Sequence, residues 1–135
     1  MLQLTYISTA TAAVGETEVN AILKASRRNN AAAGVTGLLL YDGRRFLQAL
    51  EGEVAQVHAV YERIKADPRH RAVVLLSSRD VEARAFGEWS MAAQRVTAGG
   101  AGGSVPEQVD AITADVADPN LRETFRSFAR VRAAA

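Results

Sequence analysis

Gly34-Val-Thr-Gly-Leu-Leu-Leu-Tyr41, then Asp42-Gly43, then Arg44-Arg-Phe-Leu-Gln-Ala-Leu50 is the stretch whose reading decides the fold. An aliphatic run of strand length meets an Asp-Gly pair, the strongest short-range signal for a two-residue hairpin turn. A second apolar run returns from it. Glu51-Gly52 closes the returning strand. Along that strand Phe46, Gln48 and Leu50 share one face, and Leu47 and Ala49 share the other.

Outward from the hairpin, each flank repeats the same pattern of a helix and then strand. Upstream, Glu16 to Asn29 places Val19, Ile22, Leu23 and Ser26 at helical spacing. Before it, Leu2 to Ser8 alternates, with Leu2, Leu4, Tyr6 and Ser8 on one face and Gln3, Thr5 and Ile7 on the other. Downstream, Val54, Val57, Tyr61 and Ile64 form one helical face, and the helix ends near Asp67-Pro68, since the residue before a proline is pushed out of helical geometry. Ala72 to Ser78 and Gly87 to Val96 read as two further strands. This order predicts an α+β fold, a ferredoxin-like βαββαββ sandwich with a mixed sheet and two helices on one face. Ala98 to Ser104 (AGGAGGS) breaks the composition and leads into a helical tail, Pro106 to Val116 and Pro119 to Val131, each opening on a proline. The division expected is therefore a domain over 1–97 and a linker with a C-terminal helical extension over 98–135.

Composition narrows the function classes. The chain has 135 residues, enough for one domain with a core. Its 48% hydrophobic and 23% charged content is ordinary for a globular protein. A net charge of +1 declares no nucleic-acid footprint. With no cysteine, disulfides, thiolate chemistry and cysteine-held metals are excluded. His58 and His70 stand far apart without carboxylates at ligand spacing, so no metal site is expected. The N-terminus lacks the pattern of a signal peptide, and no apolar run approaches the roughly 20 residues that span a bilayer. A cytoplasmic protein without a membrane partner is the expectation.

Several motifs fail on inspection. AGGAGGS lacks the lysine and hydroxyl residue of a phosphate-cradling loop. Arg27-Arg28 at the end of the first helix is what the helix dipole favours anyway. His58 lies beside an apolar helix face, and Ser8 has no nucleophile elbow. The residues that break the apolar pattern are more informative. Tyr6 and Gln48 each sit on an otherwise apolar strand face, and a buried glutamine costs a few kcal/mol unless its groups are paired. The ferredoxin-like crossover makes the first and third strands neighbours, which allows the tyrosine hydroxyl and the glutamine amide to meet. Asn29-Asn30 closes the helix over the same face. The plainer alternatives are a C-capping Asn30, a solvent-facing Gln48 and a core Tyr6 with its hydroxyl at the rim.

Taken together, Asn29-Asn30-x-x-x-Gly34-Val35-Thr36-Gly37-Leu38-Leu39-Leu40-Tyr41 and Phe46-Leu47-Gln48-x-Leu50-Glu51-Gly52 resemble the core pattern of the BLUF family, sensors of blue light using flavin. Tyr6 before Ser8, then Arg63-Ile64, Asp67, Arg69-His70 and Trp89-Ser90-Met91, follow in order, so the resemblance covers roughly residues 1 to 97. It implies a flavin ring between the two helices, flanked by Ile22 and Ile64. Asn30, with Asn29 nearby, would bond the pyrimidine edge. Arg63, Asp67, Arg69 and His70 would steady the ring edge, ribityl chain or phosphates. Tyr6 and Gln48 would be the photoactive pair, and Trp89 and Met91 the positions whose arrangement reports the signalling state; ordinary strand core is the other reading of those two. FAD is the implied cofactor, with FMN or riboflavin also compatible.

The chemistry of the residues agrees. A flat apolar ring with a polar edge wants aliphatic walls and a few convergent amides, and tyrosine can donate an electron to an excited flavin. With no output domain in the sequence, a downstream effector protein acting in trans is expected, together with a homodimer or larger homo-oligomer. The tail would relay the signal by packing on the open sheet face or by forming an oligomer interface. The rivals are a ferredoxin-like protein-interaction or ligand-binding module without photochemistry, against which Tyr6, Asn30 and Gln48 all stand, and an acylphosphatase-like hydrolase. The latter would want an arginine in the loop from Thr9 to Gly15, which has none.

Overall fold

The computed structural model describes residues 1–11, 16–41, 43–86, 92–95, 105–113 and 119–134. The elements run β1 (Leu2–Ala10), α1 (Glu16–Ala33), β2 (Thr36–Tyr41), β3 (Arg45–Gly52), α2 (Val54–Ala66), β4 (His70–Asp80), β5 (Ala92–Arg95), α3 (Val105–Ile112) and α4 (Pro119–Ala134). The strands form one sheet in the order β4-β1-β3-β2-β5. The pairs β4–β1, β1–β3 and β3–β2 are antiparallel, while β5 lies parallel to β2. This is the expected mixed α+β sandwich, and β1 and β3 are the neighbours that the crossover demanded.

Alternation sorts the strand residues onto two faces. Leu2, Leu4, Tyr6, Leu39, Phe46 and Leu50 pack under α1 and α2, which contribute Ile22, Leu23, Val57, Val60 and Tyr61. On the opposite face, Leu38, Leu40, Leu47 and Ala49 are covered by the tail, through Val109 of α3 and Leu121, Phe125 and Phe128 of α4. The tail therefore takes the first of its two expected places, on the open sheet face, and the molecule has three layers.

Four local expectations shift. The hairpin is longer than a two-residue Asp42-Gly43 turn, because Tyr41 pairs with Phe46 rather than with Arg44. The slip is an even number of residues, so every side chain keeps its face. Gly43 still supplies the left-handed backbone of the connection, at φ 96°. Helix α1 does not close at Asn29-Asn30 but continues through three alanines to Ala33. Gly34, at φ 69°, ends it. The Gly34 N–H donates to Ala31 O at 3.2 Å and the Val35 N–H to Asn30 O at 2.8 Å, a Schellman closure. Val54 begins α2 but is 51% exposed, and Val60 takes its place in the core. Finally, β4 is longer than Ala72 to Ser78, and its register against β1 is broken by bulges, with Ala72 at φ 50° beside one of them.

Among the described residues no helix is long and apolar enough to cross a membrane, and no cluster of three metal-ligating side chains occurs.

Candidate functional site

Beneath α1 and α2, strands β1 and β3 are in a register that sets Tyr6 directly opposite Gln48. Both side chains point to the helical face, and both are buried. The Tyr6 hydroxyl donates to Gln48 Oε1. Burial above all, then the neighbouring Tyr61 and Asp67, pushes the Tyr6 phenol far above its ordinary range. The phenol is therefore neutral at any working pH and holds its proton at Oη, aimed at the glutamine oxygen. The Tyr61 ring lies against it, with centroids 5.6 Å apart. The plain alternatives for this pair, an exposed glutamine and a rim hydroxyl, are both overturned by burial.

Gln48 is also part of the floor of a cleft between the two helices, with about 490 Å³ of empty space counted to its open mouth. Ile22 from α1 and Ile64 with Val60 from α2 form its apolar walls. Asn29 and Asn30 enter from the last turns of α1, and Arg63, Asp67, Arg69 and His70 from the end of α2 and the turn that follows. The ten positions anticipated around a flavin thus converge, nine on the cleft itself and Tyr6 one hydrogen bond behind it. Trp89 and Met91 lie outside the described residues.

Asn30 marks the cleft as a place for a polar-edged ligand. It is 1% exposed. The continuation of α1 to Ala33 removes it from the C-cap and turns its side chain inward. Its Nδ2 finds no partner among the described residues. An unsatisfied buried donor costs about 1–3 kcal/mol, and folding tolerates it where a ligand acceptor completes the bond. Together with the Gln48 amide and facing isoleucines, this donor fits the polar edge and flat apolar body of a flavin.

The rim carries the charge. Arg69 holds Asp67 in a two-pronged ion pair, Nε to Oδ1 at 3.0 Å and Nη2 to Oδ2 at 2.7 Å. This bond pulls the Asp67 carboxyl below its ordinary range. Arg63 stands exposed at the mouth. His70 Nδ1 lies 2.8 Å from Ser8 Oγ, and its ring packs on Phe46. Burial lowers the His70 pKa, against the opposing pull of Asp67, so the fold favours the neutral imidazole.

Two groups in contact with this site, or just beyond it, were not singled out by the sequence. Tyr61 reads there only as helix core, because nothing in its spacing tells it from a leucine. Glu51, read as a strand end, is fully buried. Its polar neighbours Gln3 and Thr36 come opposite it only through the observed strand register.

The likenesses to known proteins coincide with this geometry. The family model described as "BLUF: Sensors of blue-light using FAD" matches residues 1–92. The photoactivated adenylate cyclase subunit beta of Euglena longa is 38% identical over 89 residues, which are 65% of this chain and 10% of that one. The blue light- and temperature-regulated antirepressor BluF of Escherichia coli K12 is 38% identical over 74 residues, 55% of this chain and 18% of that protein. This chain therefore corresponds to a small part of either relative. The dark-state structure of BlrB, a BLUF protein, superposes with a TM-score of 0.72 at 29% identity over 96% of both chains, so the likeness extends through the tail. With its matched sensor core, its Tyr6–Gln48 pair and its two-helix cleft, the chain belongs to the BLUF family, the sensors of blue light using FAD.

Proposed function

We propose that the chain is a blue-light receptor that holds a flavin non-covalently between α1 and α2 and signals to an effector protein in trans. The observation that carries this is the buried Tyr6–Gln48 hydrogen bond at the floor of a cleft walled by Ile22 and Ile64. FAD is the cofactor, and FMN and riboflavin share the ring that the cleft would grip. Ile22 and Ile64 would wall that ring and exclude water, Asn30 Nδ2 with Asn29 beside it would offer a donor to its polar edge, and Arg63, Asp67, Arg69 and His70 would order the rim.

When bound, the flavin supplies light absorption and an excited state that accepts an electron. With the flavin bound, Tyr6 would be the electron donor, and its phenolic proton would leave Oη along the hydrogen bond to Gln48 Oε1. Loss of the electron makes the phenol strongly acidic, which releases a proton that burial otherwise locks in place. Return of electron and proton would restore Tyr6 and leave the Gln48 amide rearranged, a change in hydrogen bonding alone. Trp89 and Met91 are candidates for reading that change. The division of labour follows the chain: residues 1–97 sense, and 98–135 transmit to the partner or to a second copy in a homo-oligomer. In this reading the chain is a cytoplasmic sensor rather than an enzyme.

Two substitutions test the scheme. Tyr6→Phe retains flavin and loses the light-induced red shift of its absorption, and Gln48→Leu does the same. A normal photocycle in Tyr6→Phe excludes the tyrosine as donor; a persisting shift in Gln48→Leu excludes the glutamine.

A further inference from the structure

On the tail side of the sheet, a polar row crosses four strands in register. Arg79 of β4 pairs with Gln3 of β1, Gln3 with Glu51 of β3, and Glu51 with Thr36 of β2. The side chains follow the backbone register. Arg79 Nε donates to Gln3 Oε1 at 3.2 Å, Gln3 Nε2 to Glu51 Oε2 at 3.3 Å, and Thr36 Oγ1 to Glu51 Oε1 at 3.0 Å. Glu51 is 0% exposed, and a carboxylate so placed must be fully bonded. The remaining donors come from the loop after β4: Ala85 N–H to Oε2 and Phe86 N–H to Oε1, both at 2.9 Å.

The same loop is held a second time. Arg84 Nη1 donates to Thr36 Oγ1 at 2.7 Å and to the Glu51 carbonyl at 3.1 Å, and its Nη2 to Gly34 O at 2.9 Å. Gly34 is the residue that ends α1, four positions beyond Asn30 of the cleft. Phe86, fixed by Glu51, is buried and meets Phe125 of α4 edge-on with centroids 6.3 Å apart. The loop is thus bonded at one end to the terminus of a cleft helix and packed at the other against the tail.

Resting on the photoreceptor reading above, we propose that Glu51 and Arg84 are positioning residues that clasp the loop over 81–86 between α1 and α4, and that this clasp carries the state of the cleft to the tail. A shift of the α1 terminus, where Asn30 and the Gly34 carbonyl lie within one turn, moves the Arg84 anchor. Because Ala85 and Phe86 are tied to a buried carboxylate, the movement is passed to Phe125 instead of being absorbed in a loose loop. Packed interfaces of this kind are bistable rather than continuously deformable, so a small displacement at the anchor selects between two seats of α4.

Hydrogen exchange of the flavin-loaded full chain, in darkness and under blue light, tests the clasp. The variants are Arg84→Met, which removes the anchor to α1, and Glu51→Gln, which sets an amide donor against two of the four donors around the carboxylate. Arg84→Met is the variant least liable to misfold, since Arg84 is only half-buried. The expected result is a light-minus-dark difference over 119–134 in the unaltered protein that is lost in Arg84→Met, while the light-induced absorption shift is kept. A difference over 119–134 that persists at full size in Arg84→Met overturns the clasp, as does its absence from the unaltered protein when the absorption shift is present. An unaltered, flavin-loaded protein with no absorption shift overturns the photoreceptor reading itself, and the clasp with it.

Discussion

The two faces of the sheet treat a buried polar group in opposite ways. On the tail face, the Glu51 carboxylate has a donor for every direction: two side chains and two backbone amides. On the cleft face, Asn30 is as deeply buried, yet its amide nitrogen is left unpaired among the described residues. The tail face is completed by its own chain, and Phe125 and Phe128 fill the space over Leu38, Leu40, Leu47 and Ala49. The cleft face keeps an opening between two helices with amides at its floor. Both faces carry apolar core, but the tail face completes its buried carboxylate within the chain and the cleft face keeps an unspent hydrogen bond.

Substitutions on the two faces should therefore separate stability from photochemistry. The largest effect on stability is expected from Phe125→Ala, which empties a fully buried aromatic site on the tail face and costs about 3–5 kcal/mol. Denaturant unfolding measures the loss, and the surviving folded fraction keeps its light-induced absorption shift. If the shift vanishes with the phenylalanine, the two faces are not separable in this sense. Asn30→Ala is expected to do the reverse. The flavin-free protein changes in stability by less than about 1 kcal/mol, since no protein bond at Nδ2 is lost, while flavin affinity falls about five- to tenfold. A fluorescence titration with FAD reads the affinity; unchanged binding removes Asn30 from the site.

The smallest effect is a pH dependence on the cleft face. Burial lowers the His70 pKa, so as pH falls the unfolded chain takes up a proton before the folded one. The stability tied to this group is complete above the unfolded-state value of about 6.5 and is lost as pH falls below it toward the folded value. Thermal unfolding between about pH 7 and pH 5 should show a decline that is shallower in His70→Gln. An identical decline in both proteins assigns the acid sensitivity to other groups. Asp67 acts in the same direction only at lower pH, because Arg69 pulls a carboxyl that already titrates near 3.8 further down.

The sheet was legible because its alternation is clean. Leu2, Leu4 and Tyr6 against Gln3, Thr5 and Ile7, and Phe46, Gln48 and Leu50 against Leu47 and Ala49, sort correctly onto two faces. The hairpin slip of two residues preserved that parity. What alternation does not contain is the end of a helix. Asn29-Asn30 is a good stop signal in isolation, and three alanines with a glycine able to adopt positive φ outweigh it. That four-residue extension is what buries Asn30, so the strongest local sign of a ligand came from a boundary that propensity placed too early. The convergence of Ile22, Ile64, Arg63 and His70 was legible only through the family pattern, since residues from separate elements meet through tertiary packing. Glu51 went unremarked because an acid before a glycine reads as the close of a strand. Only the register shows that Gln3 and Thr36 lie opposite it, and nothing local predicts that a later loop will lend two backbone amides.

The central claim is that the Tyr6–Gln48 bond at the floor of the cleft is a switch worked by light through a bound flavin. The visible absorption spectrum of the purified protein, taken in darkness and again under blue light, tests it most directly. Flavin bands that move slightly to the red on illumination and relax in darkness are the predicted result. A protein that takes up no flavin, or one whose bound flavin shows no reversible shift, contradicts the account.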